Sequence, residues 1–514
     1  MSASTEKKLR QAAREAGTDK KTLALEKEAK ERAKSKRRWT IGTVAVVVLI
    51  VLVLLLNSGL VYRSTAFTVG DRKYSASEVS YRYANQYSYF ANQYGSYASM
   101  FGLDTSNGIK GLDKQDCPFA EGSWKDYFLD AAKNEMVQTS ALLSYAAENG
   151  ITLTEEELAQ VEAGFEGIEE TAKAYGFGSA NKMMAANYGT GVTVKMVKDA
   201  YREATLADKA STALSESFEY TDAQLEEHYQ SFNGARDYFD YSYCFVAAET
   251  VETAGEDGET TSAPTDETLA AAKKTADAVA ETYKKAAGDE PAVRLNNAAA
   301  AEGQSASLQT RAAGSSLFAA AEWLKDASRK AGDITVEADS AGNGYYVVVF
   351  LSRSDNHYNT ASVRHILVKA EADADGNYTD EAKAAAKAKA EEILAEFNAG
   401  DKSEESFAAL AEQYSEDGGS NTNGGLYENI ARGQMVSEFD AFCFEGHRHG
   451  DTGIVYGESE SYAGYHVMYY VGEGGLYSNY LAESDLRTSD LQAWLTEKTE
   501  ALPTSEGFGM KFVG

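Results

Sequence analysis

Few side chains in this sequence could do chemistry, so each can be taken in turn. His365 and His466 sit inside apolar runs, VRHILV at 363–368 and GYHVM at 464–468. Histidines so placed are ordinarily core residues that hold neighbouring strands by hydrogen bonds. Asp417 opens Asp417-Gly418-Gly419, which is turn chemistry. His447-x-His449 offers two metal-type ligands without partner ligands, so no metal site is expected. Cys117, Cys244 and Cys443 are odd in number and far apart, which gives neither a disulfide framework nor a zinc pattern. The chain contains no G-x-S-x-G, P-loop or H-E-x-x-H motif. No cofactor is implied.

Charge narrows the partners. The net charge is −30, yet residues 1–38 carry thirteen Lys/Arg against six Asp/Glu. The body is therefore strongly acidic, which argues against nucleic acid, since that partner needs a basic footprint. Thr40–Val61 reads TIGTVAVVVLIVLVLLLNSGLV. About 20 predominantly apolar residues suffice to span a bilayer as a helix. Lys34, Lys36, Arg37 and Arg38 precede this run and only Arg63 follows it closely. The positive-inside rule then places residues 1–38 in the cytoplasm and residues 62–514 outside, in a single-pass cell-membrane protein. The run is long for a signal peptide, and neither a convincing A-x-A site nor a lipobox cysteine follows, so an uncleaved anchor is expected.

The outer part begins with a short β element at 67–74. Ser75-Ala-Ser-Glu78 then opens a helix as a capping box. In it Tyr83, Tyr87, Phe90, Tyr94, Tyr97 and Phe101 recur at steps of three and four, which predicts a core face. A cradle for unfolded peptide is the functional alternative. Helices are expected at Trp124–Glu148, after the capping box Thr154–Glu157, at 193–216, and after Thr221. Residues 67–232 thus read as helical, without a catalytic cluster. A strand over Asp240–Val246 follows, then a polar loop at 249–265, a helix over 266–287 and a strand over Gly344–Leu351. Strand 362–368, helices 380–399 and 404–414, a Gly-rich loop at 418–425 and strand 464–471 come next.

These last two sets read as copies of one domain. Tyr243 aligns with His365, Arg311 with Arg432, Phe318 with Phe439 and Tyr346 with His466, at offsets of 120–122. Near-constant offsets with matching element order are the mark of duplication.

In the second copy VRHILV (363–368), SFAALAEQYSED (406–417), GGL (424–426), ARGQMVSEFDAFCF (431–444) and GYHVM (464–468) occur in one order and spacing. This segment, about 358–473, resembles the parvulin-type peptidyl-prolyl cis/trans isomerases. The whole layout is similar to extracytoplasmic foldases of the PrsA/SurA kind. The resemblance implies that His365, Asp417 and His466 form the catalytic group, and that Leu426, Met435, Phe439 and Phe444 bind the proline. Each could otherwise be a core or turn residue. There are departures: Tyr427–Ile430 makes the link to RGQM one residue longer than usual, Ala463 replaces a common Ser or Thr, and Gly446–Gly450 is an atypical turn. The first copy lacks both histidines, having Tyr243 and Tyr346, and has Ser315 at the Met435 position, so it looks like the fold without the site.

The expected class is α+β. The expected layout is a basic tail (1–38), a transmembrane helix (39–61), a helical SurA-N-like domain (62–235), a degenerate parvulin-like domain (236–355), an isomerase domain (356–475) and a helical tail (476–514). The implied partners are unfolded secreted polypeptides with X–Pro bonds, and the membrane through residues 40–61. A chaperone with a silent parvulin domain, or a membrane-bound scaffold, are the rival readings.

Overall fold

A computed structural model describes all residues except 1–2, 18–19, 58, 255–259, 287, 319 and 460. It gives no account of the side chains at 20–22, 25, 26, 29, 51–57, 253, 254 and 260. The fold is mixed helix and sheet and divides into two compact units, residues 1–218 with 489–514, and residues 219–488.

The first unit contains helix Lys20–Asn57, which carries most of the apolar run of the sequence. Among the described residues no helix is long and apolar enough to cross a membrane. The later part of the run, 51–58, lies outside the residues whose side chains are described. Beyond it, β1 (Thr65–Val69) and β2 (Arg72–Ser75) form an antiparallel hairpin. Ser75 then caps helix Ala76–Tyr94: its side chain accepts from the Glu78 amide while the Glu78 carboxylate takes the Ser75 amide at 2.7 Å.

Tyr83, Tyr87 and Phe90 of this helix are buried with Trp124 and Phe128 of helix Trp124–Glu148. Of the expected core face Tyr94 and Tyr97 then leave the core, while Phe101 packs back against it. Gly95 has φ 51 and ends the helix, and Gly95–Phe101 continues as a 3₁₀ segment. The change of period turns Tyr97 outward, 67% exposed.

The C-terminal segment completes this unit. Strand Thr504–Glu506 pairs with β1 in antiparallel register. Val513 is buried beside Ala66, Phe67, Val79 and Met136, and Trp494 packs against the cluster of Leu142, Ala146, Ala207 and Ala210.

The second unit holds two four-stranded antiparallel sheets of like topology. In the first copy β3 (Tyr238–Ala247) and β8 (Gly344–Ser354) are central, flanked by β6 (Ala306–Ala313) and β7 (Ile334–Ala338). In the second, β9 (Asn359–Lys369) and β12 (Tyr462–Leu476) are central, flanked by β10 (Leu426–Ile430) and β11 (Thr452–Ser459). The polar stretch expected as a loop is instead a hairpin of β4 (Thr250–Ala254) and β5 (Thr260–Pro264). Its threonines favour extended backbone, but it lacks the apolar alternation of a half-buried strand, so composition alone reads as loop.

Alternation along β9 and β12 sorts the second sheet's faces. Ile366, Val368 and Val467 bury against helices Asp380–Ala399 and Glu404–Tyr414. Val363 and Met468 bury on the opposite side with Phe439, Phe442 and Cys443 of helix Ser437–Phe444. His365 and Leu367 share that second side. The copies also touch: Arg311 donates from Nη2 to the Arg432 carbonyl oxygen at 2.8 Å.

Candidate active site

His365 lies on β9 and His466 on β12, two rungs apart in the ladder: His365 pairs with Met468 and Leu367 with His466. Their side chains meet on the face that helix Ser437–Phe444 covers. Both are buried, 3% and 4% exposed. Their Nδ1 atoms are 3.0 Å apart and the rings stack with centroids at 5.1 Å.

Asp417 is brought to them by the loop after helix Glu404–Tyr414. Glu416 N donates to the Leu367 carbonyl at 2.9 Å, which fastens the loop to β9. His365 N donates to the Gly425 carbonyl at 2.8 Å and closes the loop's far end. Gly425 has φ +73, and a Cβ there would stand 2.2 Å from the His365 carbonyl oxygen, so the position demands glycine. Asp417 Oδ2 lies 2.9 Å from His365 Nε2 and accepts from Ser420 Oγ at 2.6 Å and from the Tyr427 hydroxyl at 3.0 Å. Oδ1 accepts from the Gly419 amide at 3.2 Å. At the other end of the chain, the Tyr462 hydroxyl is 3.0 Å from His466 Nε2.

The electrostatics follow from these contacts. The His365 hydrogen bond, with those of Ser420 and the Gly419 amide, holds the Asp417 carboxyl well below the usual carboxylate range, against the opposing effect of burial. Burial, then the neighbouring His365, pushes His466 down to about 3, so its ring is neutral. Burial, the Asp417 charge and its hydrogen bond push the Tyr427 phenol up.

These groups form one wall of a pocket of about 260 Å³. The apolar part is Leu367, Met435, Val436 and Phe439, and Gln434 also lines it. Phe439, 2% exposed, sets its ring edge-on to both histidines, with centroids at 5.3 and 5.2 Å.

Of the residues singled out from sequence, His365, Asp417, His466, Met435 and Phe439 come together here. Leu426 and Phe444 do not line this pocket. Leu426 pairs with Arg364, whose guanidinium reaches Glu404 on the other face, and alternation puts Tyr427 toward the histidines instead. Phe444 lies beneath the Arg432 guanidinium, 4.4 Å from its ring centroid, with Tyr358 edge-on at 5.8 Å.

Ser420, Tyr427, Gln434 and Tyr462 were not foreseen. Among the described residues no group of three or more His, Cys, Asp or Glu side chains could hold a metal. His449 is engaged through Nδ1 with the Val471 carbonyl at 2.9 Å.

The first copy repeats the frame with different contents. Phe318 packs its ring on Tyr243 and Tyr346, at 5.2 and 5.8 Å, as Phe439 does on the two histidines. Phe318 is nonetheless 52% exposed.

Residues 346–471 match the family model of the PPIC-type PPIase domain. Over 114 residues the chain is 36% identical to foldase protein PrsA 3 of Bacillus anthracis, covering 22% of this chain and 32% of that protein. The chain thus spans about a third of the length of that curated relative. Among solved structures, PrsA from Bacillus subtilis matches at 13% identity over 75% of this chain and 89% of its own, with a TM-score of 0.23. A SurA-like chaperone of Campylobacter jejuni matches at 11% identity over 57% and 82%, with a TM-score of 0.16. The family match of residues 346–471 and the curated relative agree with the site's geometry: this chain is similar, over that part of its length, to PPIC-type PPIase domains and to a PrsA foldase.

Proposed function

We propose that the chain is an extracytoplasmic foldase that catalyses cis/trans isomerisation of X–Pro bonds and holds unfolded secreted polypeptides. The observation that carries this reading is the apolar pocket of Met435 and Phe439 beside the hydrogen-bonded His466, His365 and Asp417.

The reaction rotates one amide and breaks no bond. The barrier is about 18–20 kcal/mol because resonance keeps the planar amide partly double-bonded, with negative charge on oxygen. An enzyme must bind the twisted amide better than either planar isomer. Met435 and Phe439 hold the proline ring in this reading. Asp417 stands beside the amide, where its fixed negative charge opposes charge on the carbonyl oxygen and so raises the planar form relative to the twisted one. The two buried histidines keep that carboxylate ionised and oriented.

Exposed Tyr89, Tyr97, Met100 and Phe119 of the first unit support a client-holding role there. The apolar run at 40–61 with its basic N-terminal flank supports a single-pass anchor, residues 1–38 cytoplasmic and 62–514 outside.

The test is direct. The purified full chain should accelerate the relaxation of short X–Pro peptides, followed without a coupled protease, and Asp417→Ala should lose at least about a hundredfold of that rate. A folded wild type with no acceleration across several residues before proline would leave chaperone activity alone.

A further inference from the structure

Arg311 stands on a bulge of β6. Thr310 and Arg311 lie opposite the single residue Asp240 of β3, between the pairs Phe239–Ala312 and Tyr241–Gln309. An extra residue of this kind re-aims a side chain. Arg311 takes φ 51 there, a left-handed backbone that long side chains seldom adopt. The ladder register equates Arg311 with Asn429 of β10, at φ 56, rather than with Arg432 as the sequence offset suggests. Asparagine tolerates that conformation, whereas arginine is held in it against its backbone preference. Asp240 secures the bulge, taking the Arg311 amide on Oδ1 at 2.7 Å and the Ser352 hydroxyl on Oδ2 at 2.6 Å.

The bulge delivers a contact with the other copy. The Arg311 guanidinium carbon lies 4.8 Å from the Tyr238 ring centroid, and Nη2 donates to the Arg432 carbonyl oxygen at 2.8 Å. The guanidinium rests against Gly433, where φ is +75 and a Cβ would stand 2.5 Å from Nη2 and 2.9 Å from Cζ. Arg432 and Gly433 belong to the turn 431–434, which leads into the pocket residues Gln434, Met435 and Val436. The second copy ties every amide of that turn. Gln434 Oε1 takes the Ala431 amide at 2.9 Å and the Tyr358 hydroxyl takes the Arg432 amide at 3.0 Å. The Asp440 carboxylate takes the Gly433 amide, and the Ala431 carbonyl takes the Gln434 amide at 3.2 Å. The Arg432 carbonyl is the point at which the first copy takes hold.

We propose that Arg311 is a positioning residue for the second copy: the first copy, with tyrosines in place of both histidines, sets the turn that carries Met435 into the isomerase pocket. Arg311 is exposed, so its loss opens no cavity. Removing the guanidinium frees the turn to shift while the sheet and helix Ser437–Phe444 stay in place. The first copy thus takes part in the reaction without chemistry of its own.

The effect on rate rests on the isomerase reading, but the bracing can be read without it. The test uses the full chain with its methionine methyls labelled with ¹³C. Met435 reports the turn, and Met468, fully buried on β12, is the control. Arg311→Leu keeps an apolar contact with Tyr238 and removes the donor. It should shift the Met435 methyl signal and leave that of Met468 unmoved. It should also raise KM for X–Pro peptides about three- to tenfold with kcat nearly unchanged, as expected when one hydrogen bond's worth of uniform binding is lost. Gly433→Asn accepts the left-handed backbone but crowds the guanidinium, and should do the same. In the double variant the crowding has nothing to act on, so KM should be no higher than in Arg311→Leu alone. An unmoved Met435 signal in Arg311→Leu, or KM effects that multiply in the double variant, would overturn the proposal. A Met468 signal that moves as much as that of Met435 would make the role merely structural and overturn it too. A shifted Met435 signal in a chain without isomerase activity would sink the isomerase reading and leave the brace standing.

Discussion

Tyr243 pairs with Val348 across the first sheet as His365 pairs with Met468 across the second, 122 and 120 residues further along. One ladder register thus carries two chemistries. In the second copy the position holds a titratable ring in hydrogen-bond contact with a carboxylate. In the first it holds a phenol packed among Tyr241, Phe318 and Tyr346.

The first copy should therefore contribute no isomerase activity. Asp417→Ala in the full chain should leave only a small residual rate, and adding Tyr243→His with Tyr346→His should not raise it. The histidines alone lack the carboxylate and the pocket floor, since Ser315 stands at the Met435 position. Recovery of rate in the combined variant would show that the first sheet keeps a latent site.

Acid should loosen the second copy at two points. His466 is held down to about 3 by burial and by His365, whereas the unfolded chain's value is 6.5. Between those values the unfolded state takes a proton that the folded state refuses. Stability is therefore present above pH 6.5 and lost as pH falls, by up to about 1.4 kcal/mol per pH unit. Asp417 has its carboxyl lowered from 3.8, so its contribution is present above that value and lost only below it. Amide exchange of Ile366 and Val467, corrected for intrinsic rates, should lose protection from pH 7 to 4.5. His466→Phe should flatten that slope, because an aromatic ring is already what the first copy places there. An equal slope in the variant would remove His466 as the cause.

Met435 and Phe439 should separate binding from stability. Phe439 is fully enclosed and touches both histidines, so Phe439→Ala should cost about 3–5 kcal/mol in the second copy. Met435 is half-buried at the pocket. Met435→Ala should leave the melting of that copy nearly unchanged while raising KM for X–Pro peptides about tenfold, the loss of uniform binding. Comparable destabilisation by both would make Met435 a core residue.

What was legible in the sequence follows physical lines. Helices Trp124–Glu148, Asp380–Ala399 and Glu404–Tyr414 were readable to the residue, because caps and period mark them locally. His365, Asp417 and His466 were singled out through motif order, and they come within hydrogen-bond reach although 52 residues separate the first two. Leu426 was misplaced relative to the pocket because facing depends on register: it is the pairing with Arg364 that turns Leu426 away and Tyr427 inward. Tyr462 was invisible because its contact with His466 passes Gly457 of the neighbouring strand, where a Cβ would stand 2.6 Å from His466 Nε2, and no single-strand pattern reports that. The hairpin of β4 and β5 lacked a buried face, and with it the signal by which strands are recognised.

The C-terminal segment is the last element whose contribution can be measured. Its strand pairs Phe67 with Glu506, Thr68 with Ser505 and Val69 with Thr504, giving β1 a second partner. Beyond it Met510, Phe512 and Val513 pack on the cluster of Ala66, Phe67, Tyr74 and Met136. Removing residues 504–514 would bare one edge of β1 and uncover that cluster, whose apolar burial is worth on the order of a few kcal/mol. A chain ending at Pro503 should show faster amide exchange at Val69 and Tyr74 and bind a hydrophobic dye more strongly. Exchange at Ile366 and Val467 in the second unit should stay as in the full chain and serves as the internal control. Unchanged protection at Val69 and Tyr74 would mean that β1 and β2 hold without the segment, and that its pairing adds little to the first unit.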